Sequence, residues 1–143
     1  MMNRSLSILI VVCAVLAIGY LLQRNRGVFK KLAVNNFHNE FAKLIPKDGL
    51  GEVGTMVQFS TALCSSCRSN KLMLSELVKK YPGMKFQELD AESNLDSINK
   101  LKVTSTPTVF LLSKSGKSVG RFTGPIKREQ AKLALESLIQ NTH

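Results

Sequence analysis

The chain has no tryptophan, two tyrosines, and histidine only at positions 38 and 143. A core made from it must therefore rest on Leu, Ile, Val and Phe. Cysteine is nearly as scarce, with Cys13, Cys64 and Cys67 alone. One closely spaced pair closes only a tiny loop, which excludes a disulfide-stapled scaffold and points to chemistry rather than structure. Cys13 lies inside an apolar run and reads as a small buried hydrophobe. A tetrahedral zinc site needs four ligands; the pair supplies two, and His38 and His143 lie far from it in sequence. No metal and no cofactor are called for. Acidic residues are also few, ten against twenty basic, for a net charge of +10. No basic run is interleaved with aromatics, so the charge does not imply a nucleic-acid partner.

The basic excess is densest near the N-terminus. Residues 1–50 carry seven cations against Glu40 and Asp48. That density flanks an uncharged apolar run, Leu6 to Leu22, which fits one transmembrane helix and predicts contact with anionic lipid headgroups. A cleavable signal peptide is the alternative, with small residues at Ala17-Ile18-Gly19, but Tyr20-Leu21-Leu22 carries the apolar run past them. Retention as an anchor is the better reading. Arg24, Arg26, Lys30 and Lys31 follow the run, against Arg4 before it, so the positive-inside bias favours a cytoplasmic domain. The chain divides into an anchor over 1–24, a basic juxtamembrane linker over 25–33, and one domain over 34–143. That length is ample for a single core.

Within the domain, Phe37, Phe41, Leu44 and Ile45 repeat at helical spacing, with Asn35 or Asn36 as cap and Pro46 as stop. Thr55 to Phe59 fits a buried strand. Leu74, Leu77, Val78 and Tyr81 mark a helix that Pro82-Gly83 ends. Met84 to Leu89 is a second strand, and Leu95, Ile98 and Leu101 a short helix. Thr108 to Leu112 and Ser118 to Phe122 form a hairpin around Lys114-Ser115-Gly116-Lys117. Gly124-Pro125 opens a last helix carrying Ala131, Ala134, Leu135, Leu138 and Ile139. Helices alternating with strands predict an α/β fold: a mixed sheet with a parallel core and an antiparallel edge, flanked by helices.

Cys64-Ser65-Ser66-Cys67 falls where the buried strand gives way to a helix. Unpaired N–H groups and the dipole at a helix start favour an anion, and so a thiolate at Cys64. Cys67 lies one turn on and on the same face, within reach of a mixed disulfide formed at Cys64. Arg68 adds a cation beside the pair. Further along, Thr106-Pro107-Thr108 stands at the entrance of a strand, where a proline is tolerated.

These pieces together resemble the thioredoxin family: strand, Cys-x-x-Cys, helix, Asp90 at a strand end, Thr106-Pro107-Thr108, a glycine hairpin and Phe122-Thr123-Gly124. Met56 to Thr61 before Leu63-Cys64 is similar to small membrane-anchored bacterial members. The resemblance spans about residues 30–143 and implies a thioredoxin-like fold behind one transmembrane helix. It also implies a thiol–disulfide oxidoreductase whose partners are protein thiols and disulfides, together with a membrane or soluble electron donor. By it, Cys64 is the nucleophile, Cys67 the resolving thiol, Pro107 a cis-proline, and Thr106 a backbone partner for substrate. Leu63 stands where the family usually has Trp. Ser65-Ser66 replaces Gly-Pro, a dipeptide that helps set redox potential. Gln58 takes the place of a buried Asp and cannot act as a base. Two alternatives stay open on the residues: a binding module with an idle pair, and a two-thiolate copper(I) protein.

Overall fold

A computed structural model describes residues 4–24, 27–32 and 37–142. Its helices are α1 (Arg4–Arg24), α2 (His38–Leu44), α3 (Ser65–Val78), α4 (Leu95–Lys100) and α5 (Arg128–Gln140). Its strands are β1 (Lys30–Lys31), β2 (Gly54–Ser60), β3 (Met84–Asp90), β4 (Thr108–Ser113) and β5 (Ser118–Thr123). The strands form one mixed sheet in the order β1-β5-β4-β2-β3.

All of β2 is buried, as its near-continuous apolar composition requires of a strand covered on both faces. Side chains alternate across it. Met56 joins Leu74, Leu77 and Leu135 on the side covered by α3 and α5, whereas Val57 and Phe59 join Phe41, Leu101 and Phe110 on the side covered by α2 and α4. Along α3, Cys67, Asn70, Leu74, Leu77 and Val78 are the buried residues. Their spacing makes one stripe, so the second cysteine sits on the same face as the core leucines.

The element sequence matches the periodicity, but the pairing differs from a parallel core. Among the described residues only β2 and β3 run parallel; β4 lies antiparallel to β2 on its other side. The connection through the short α4 carries the chain across the sheet, and strand order is not encoded in local pattern. Asn35 and Asn36, expected to cap α2, lie outside the described residues. Cys13 is exposed rather than buried, because among the described residues none covers α1. The last helix begins at Arg128, not at Pro125. The N–H groups of Gly124 and Ile126 are instead taken by Pro107 O (2.7 Å) and Asn70 Oδ1 (3.1 Å).

Inside the segment read as a linker, Lys30 and Lys31 form the edge strand β1, paired with Arg121 and Gly120. Two close approaches allow it. The backbone passes so near β5 that a Cβ on Gly120 would lie 2.2 Å from the Phe29 ring. Gly27 has φ +76°, and a Cβ there would lie 2.2 Å from Pro125 O. Both positions need glycine. The Phe29 ring then packs on Phe122 with centroids 4.8 Å apart.

α1 is long and apolar enough to cross a membrane, and its apolar stretch is not buried against the described residues. At 1.5 Å per residue its 21 residues span roughly 31 Å, close to the hydrocarbon thickness of a bilayer.

Candidate redox site

Cys64 is the last residue before α3, in extended conformation, and its Sγ accepts the N–H of Cys67 at 3.1 Å. A side-chain sulfur thus does the work an N-cap oxygen would do elsewhere. The two cysteines are joined as a disulfide, with Cα atoms 5.2 Å apart. Their surroundings differ. Cys67 is 2% exposed, Cys64 is half-buried at the surface, and Leu63 beside it is 98% exposed. Ser65 is exposed; Ser66 Oγ lies 3.6 Å from Cys64 Sγ. Arg68 is also exposed, donates its backbone N–H to Cys64 O (3.3 Å), and lines an open cleft of about 530 Å³ together with Ser60, Lys71, Glu88 and Asp90.

The Thr106–Pro107 bond is cis. Thr61 Oγ1 and Thr106 Oγ1 approach to 3.4 Å, linking this loop to the end of β2 from which the cysteines follow. Pro107 O is held by Gly124 N–H. Asn70, one turn beyond Cys67, donates to Gly124 O at 3.3 Å and accepts from Ile126 N–H. The cysteine helix, the Pro107 loop and the 124–126 turn are thereby tied together. His38, by contrast, lies against Gly116 in the β4–β5 hairpin, at the other end of the sheet from Pro107 and the strand end that leads to the cysteines. His143 is outside the described residues.

Gln58 shares the face of Met56 and so points at α3. It is fully buried, and its Nε2 donates to Cys67 O and to Ser60 Oγ, each at 2.9 Å. Ser60 Oγ donates in turn to Glu88 Oε1 at 2.8 Å, and Lys71 Nζ donates to Glu88 Oε2. Ser60, Glu88, Lys71, Thr61 and Asn70 were not legible as site residues. Glu88 is brought in by register: it stands opposite Gln58 in the parallel β2–β3 pair, and no local pattern reveals which residues face each other.

Burial works against the Glu88 carboxylate, but the hydrogen bonds from Lys71 and Ser60 outweigh it and hold the carboxyl below the usual range. A lowered folded pKa stabilises the fold above about pH 4.5, and this is lost as pH falls through the lowered value. With Lys71 more than half exposed, the effect is about 1 kcal/mol or less. Glu88→Gln should therefore destabilise the protein near pH 7 and cost less near pH 3. Urea unfolding at both pH values measures it; an equal loss at both would show that the charge is not what matters.

A cysteine pair at the start of a helix, at the end of a central buried strand and beside a cis-proline, makes this a thiol–disulfide oxidoreductase. The thioredoxin family model matches residues 28–137. Thioredoxin of Sus scrofa is 29% identical over 106 residues, covering 74% of this chain and 99% of its own. Thioredoxin of Homo sapiens is 32% identical over 82 residues, 57% of this chain and 77% of its own. Among solved structures, oxidised mitochondrial thioredoxin 3 of Saccharomyces cerevisiae superposes with a TM-score of 0.56 at 23% identity, covering 69% of this chain and 88% of its own. Oxidised thioredoxin of Plasmodium falciparum gives 0.55 at 25%, covering 69% and 89%. The chain belongs to the thioredoxin family, whose members act on protein thiols and disulfides.

Proposed function

We propose that this protein is a membrane-anchored oxidoreductase in which Cys64 attacks the substrate and Cys67 resolves the intermediate. The observation that carries the assignment is the asymmetry of the pair. Cys64 Sγ takes an N–H bond at the start of α3 beside open surface, while Cys67 is buried beneath it. A helix start stabilises negative charge by about 0.3–1 kcal/mol when exposed and up to ~2 when partly buried. The attacking thiolate belongs where both donors and substrate can reach it.

In the reducing direction, the Cys64 thiolate attacks one sulfur of a substrate disulfide, and the other substrate sulfur leaves as a thiolate that takes a proton. Cys67 then gives up its proton and attacks Cys64 Sγ. The mixed disulfide breaks, the substrate departs as a dithiol, and two electrons have passed to it. Thr106, turned by the cis bond to Pro107, offers its backbone to an extended substrate segment beside the cysteines. Ser65, Ser66 and Arg68 shape the field around Cys64. Gln58, holding Cys67 O, fixes the first turn of α3 without acting as a base.

Leu6–Leu22 holds the chain in the membrane, and the cations from Arg24 to Lys31 favour a cytoplasmic domain. A domain on that side rests as the dithiol and acts as a reductase. The protein should show one two-electron midpoint in a thiol redox buffer, and its dithiol form should reduce insulin. Absence of any insulin reduction would reject the enzyme assignment. A membrane-impermeant thiol reagent on intact cells reads the side; labelling of Cys64 would reverse the orientation.

A further inference from the structure

β1 takes no part in the cysteine chemistry, yet it determines which end of the sheet meets the anchor. α1 ends at Arg24, and the described chain resumes at Gly27, buried with its N–H on Thr123 O at 2.8 Å. Three Cα–Cα steps of 3.8 Å join them, so the two Cα atoms are at most about 11 Å apart. From Gly27 the chain runs along β5 away from that end: Lys30 opposite Arg121, Lys31 opposite Gly120, Leu32 N–H on Val119 O. The attachment point is therefore the Thr123 end of β5.

That end is the redox end. Thr123 stands opposite Thr108, and the next residue, Gly124, holds Pro107 O and is held by Asn70 from the cysteine helix. From β5 across β4 to β2, whose end leads to Cys64, is two strand spacings, roughly 10 Å. The hairpin at Ser115 lies at the other end, about 20 Å away along the six residues of β5. With Leu22 at the hydrocarbon edge, Arg24 stands about 3 Å above it and Gly27 no more than about 14 Å. The headgroup layer takes up roughly 5–8 Å of that. Exposed cations border the attachment on both sides, Lys30 and Lys31 on β1 and Lys127 and Arg128 after the 124–126 turn. They suit an anionic lipid surface.

We propose that the short tether holds the redox end of the domain against the membrane, and that its exchange partner is a cysteine pair of a membrane-embedded protein presented at headgroup level. This rests on the reading that α1 spans the bilayer. A thiol pair at that level meets Cys64 without the domain leaving the surface, whereas a bulky soluble substrate must enter the gap between domain and lipid.

The test uses the full chain in vesicles of phosphatidylcholine and phosphatidylglycerol containing a lipid with a nickel chelate on its headgroup. A nitroxide is placed at Leu63→Cys or at Ser115→Cys, both exposed, with Cys13→Ala, Cys64→Ser and Cys67→Ser. Collisions with the chelate are expected to be severalfold more frequent at 63 than at 115; equal or reversed frequencies overturn the proposal. A long Gly/Ser insertion between Arg26 and Gly27 should bring the two together, and an undiminished difference overturns the tether. With the native cysteines, that insertion should slow reduction of a transmembrane peptide bearing a headgroup-level disulfide severalfold, while leaving reduction of insulin no slower. Equal slowing of both overturns the partner assignment. Release of the chain by alkaline carbonate would instead reject the anchor itself, whereas a retained chain with equal collision frequencies rejects only the orientation.

Discussion

Cys64→Ser is expected to abolish disulfide exchange, and Cys67→Ser to abolish turnover while accumulating a mixed disulfide with substrate. A serine hydroxyl forms no disulfide, so loss of the attacking sulfur leaves, of the pair, only the buried Cys67 (2% exposed), which substrate does not reach. Loss of Cys67 leaves Cys64 free to attack, but the intermediate then waits for an outside thiol. Neither change should unfold the protein. Gln58 binds the backbone oxygen of Cys67 and not its sulfur, and sulfur-to-oxygen replacement leaves the stripe of Leu74, Leu77 and Val78 intact. Non-reducing electrophoresis after exposure to a disulfide-bonded substrate reads the outcome. A stable mixed disulfide in Cys64→Ser and none in Cys67→Ser would exchange the two roles.

The largest loss of stability is expected from Phe110→Ala. Phe110 is fully buried in the centre of β4, with its ring centroid 5.0 Å from Phe41, 6.1 Å from Phe59 and 6.4 Å from Phe37. The Arg121 guanidinium lies 6.0 Å from the same ring. Truncating such a side chain costs about 3–5 kcal/mol, and loss of the edge-to-face partners favours the upper half. Against a total of about 5–15 kcal/mol, that leaves a marginal fold. The midpoint of thermal unfolding should fall by more than about 10 °C, since each kcal/mol moves it ~4–8 °C in a domain of this size. The redox midpoint of the folded fraction should stay the same, because Phe110 lies on the α2–α4 face and Cys67 on the other. A loss below about 1 kcal/mol would mean that the α2–α4 layer is not part of the cooperative unit.

Local pattern carried much of this protein. The strand of Thr55 to Phe59, the stripe of Leu74, Leu77 and Val78, and the hairpin around Gly116 are each specified by neighbours a few residues away, so their composition and spacing are enough to read them. The cysteine motif was legible for the same reason: a strand running into a helix places Cys64 at unpaired N–H groups and Cys67 one turn along. The apolar run after Ser5 likewise needs only its length and lack of charge.

What pairs with what was not local. That β4 lies antiparallel to β2, that Gln58 faces Glu88 across a parallel pair, and that Ser60 links them depend on register between segments some thirty or more residues apart. The edge strand Lys30–Lys31 was hidden because two lysines carry no strand pattern of their own. They pair only because Gly120 admits Phe29 and Gly27 fits against Pro125 O, contacts made by residues about ninety positions away along the chain. By itself the sequence determined the chemistry, a helix-start thiol pair behind a long apolar helix. Only the tertiary structure decided that the segment following that helix joins the sheet at the cysteine end, since that follows from hydrogen bonds of Thr123 and Gly124 to segments distant in the chain.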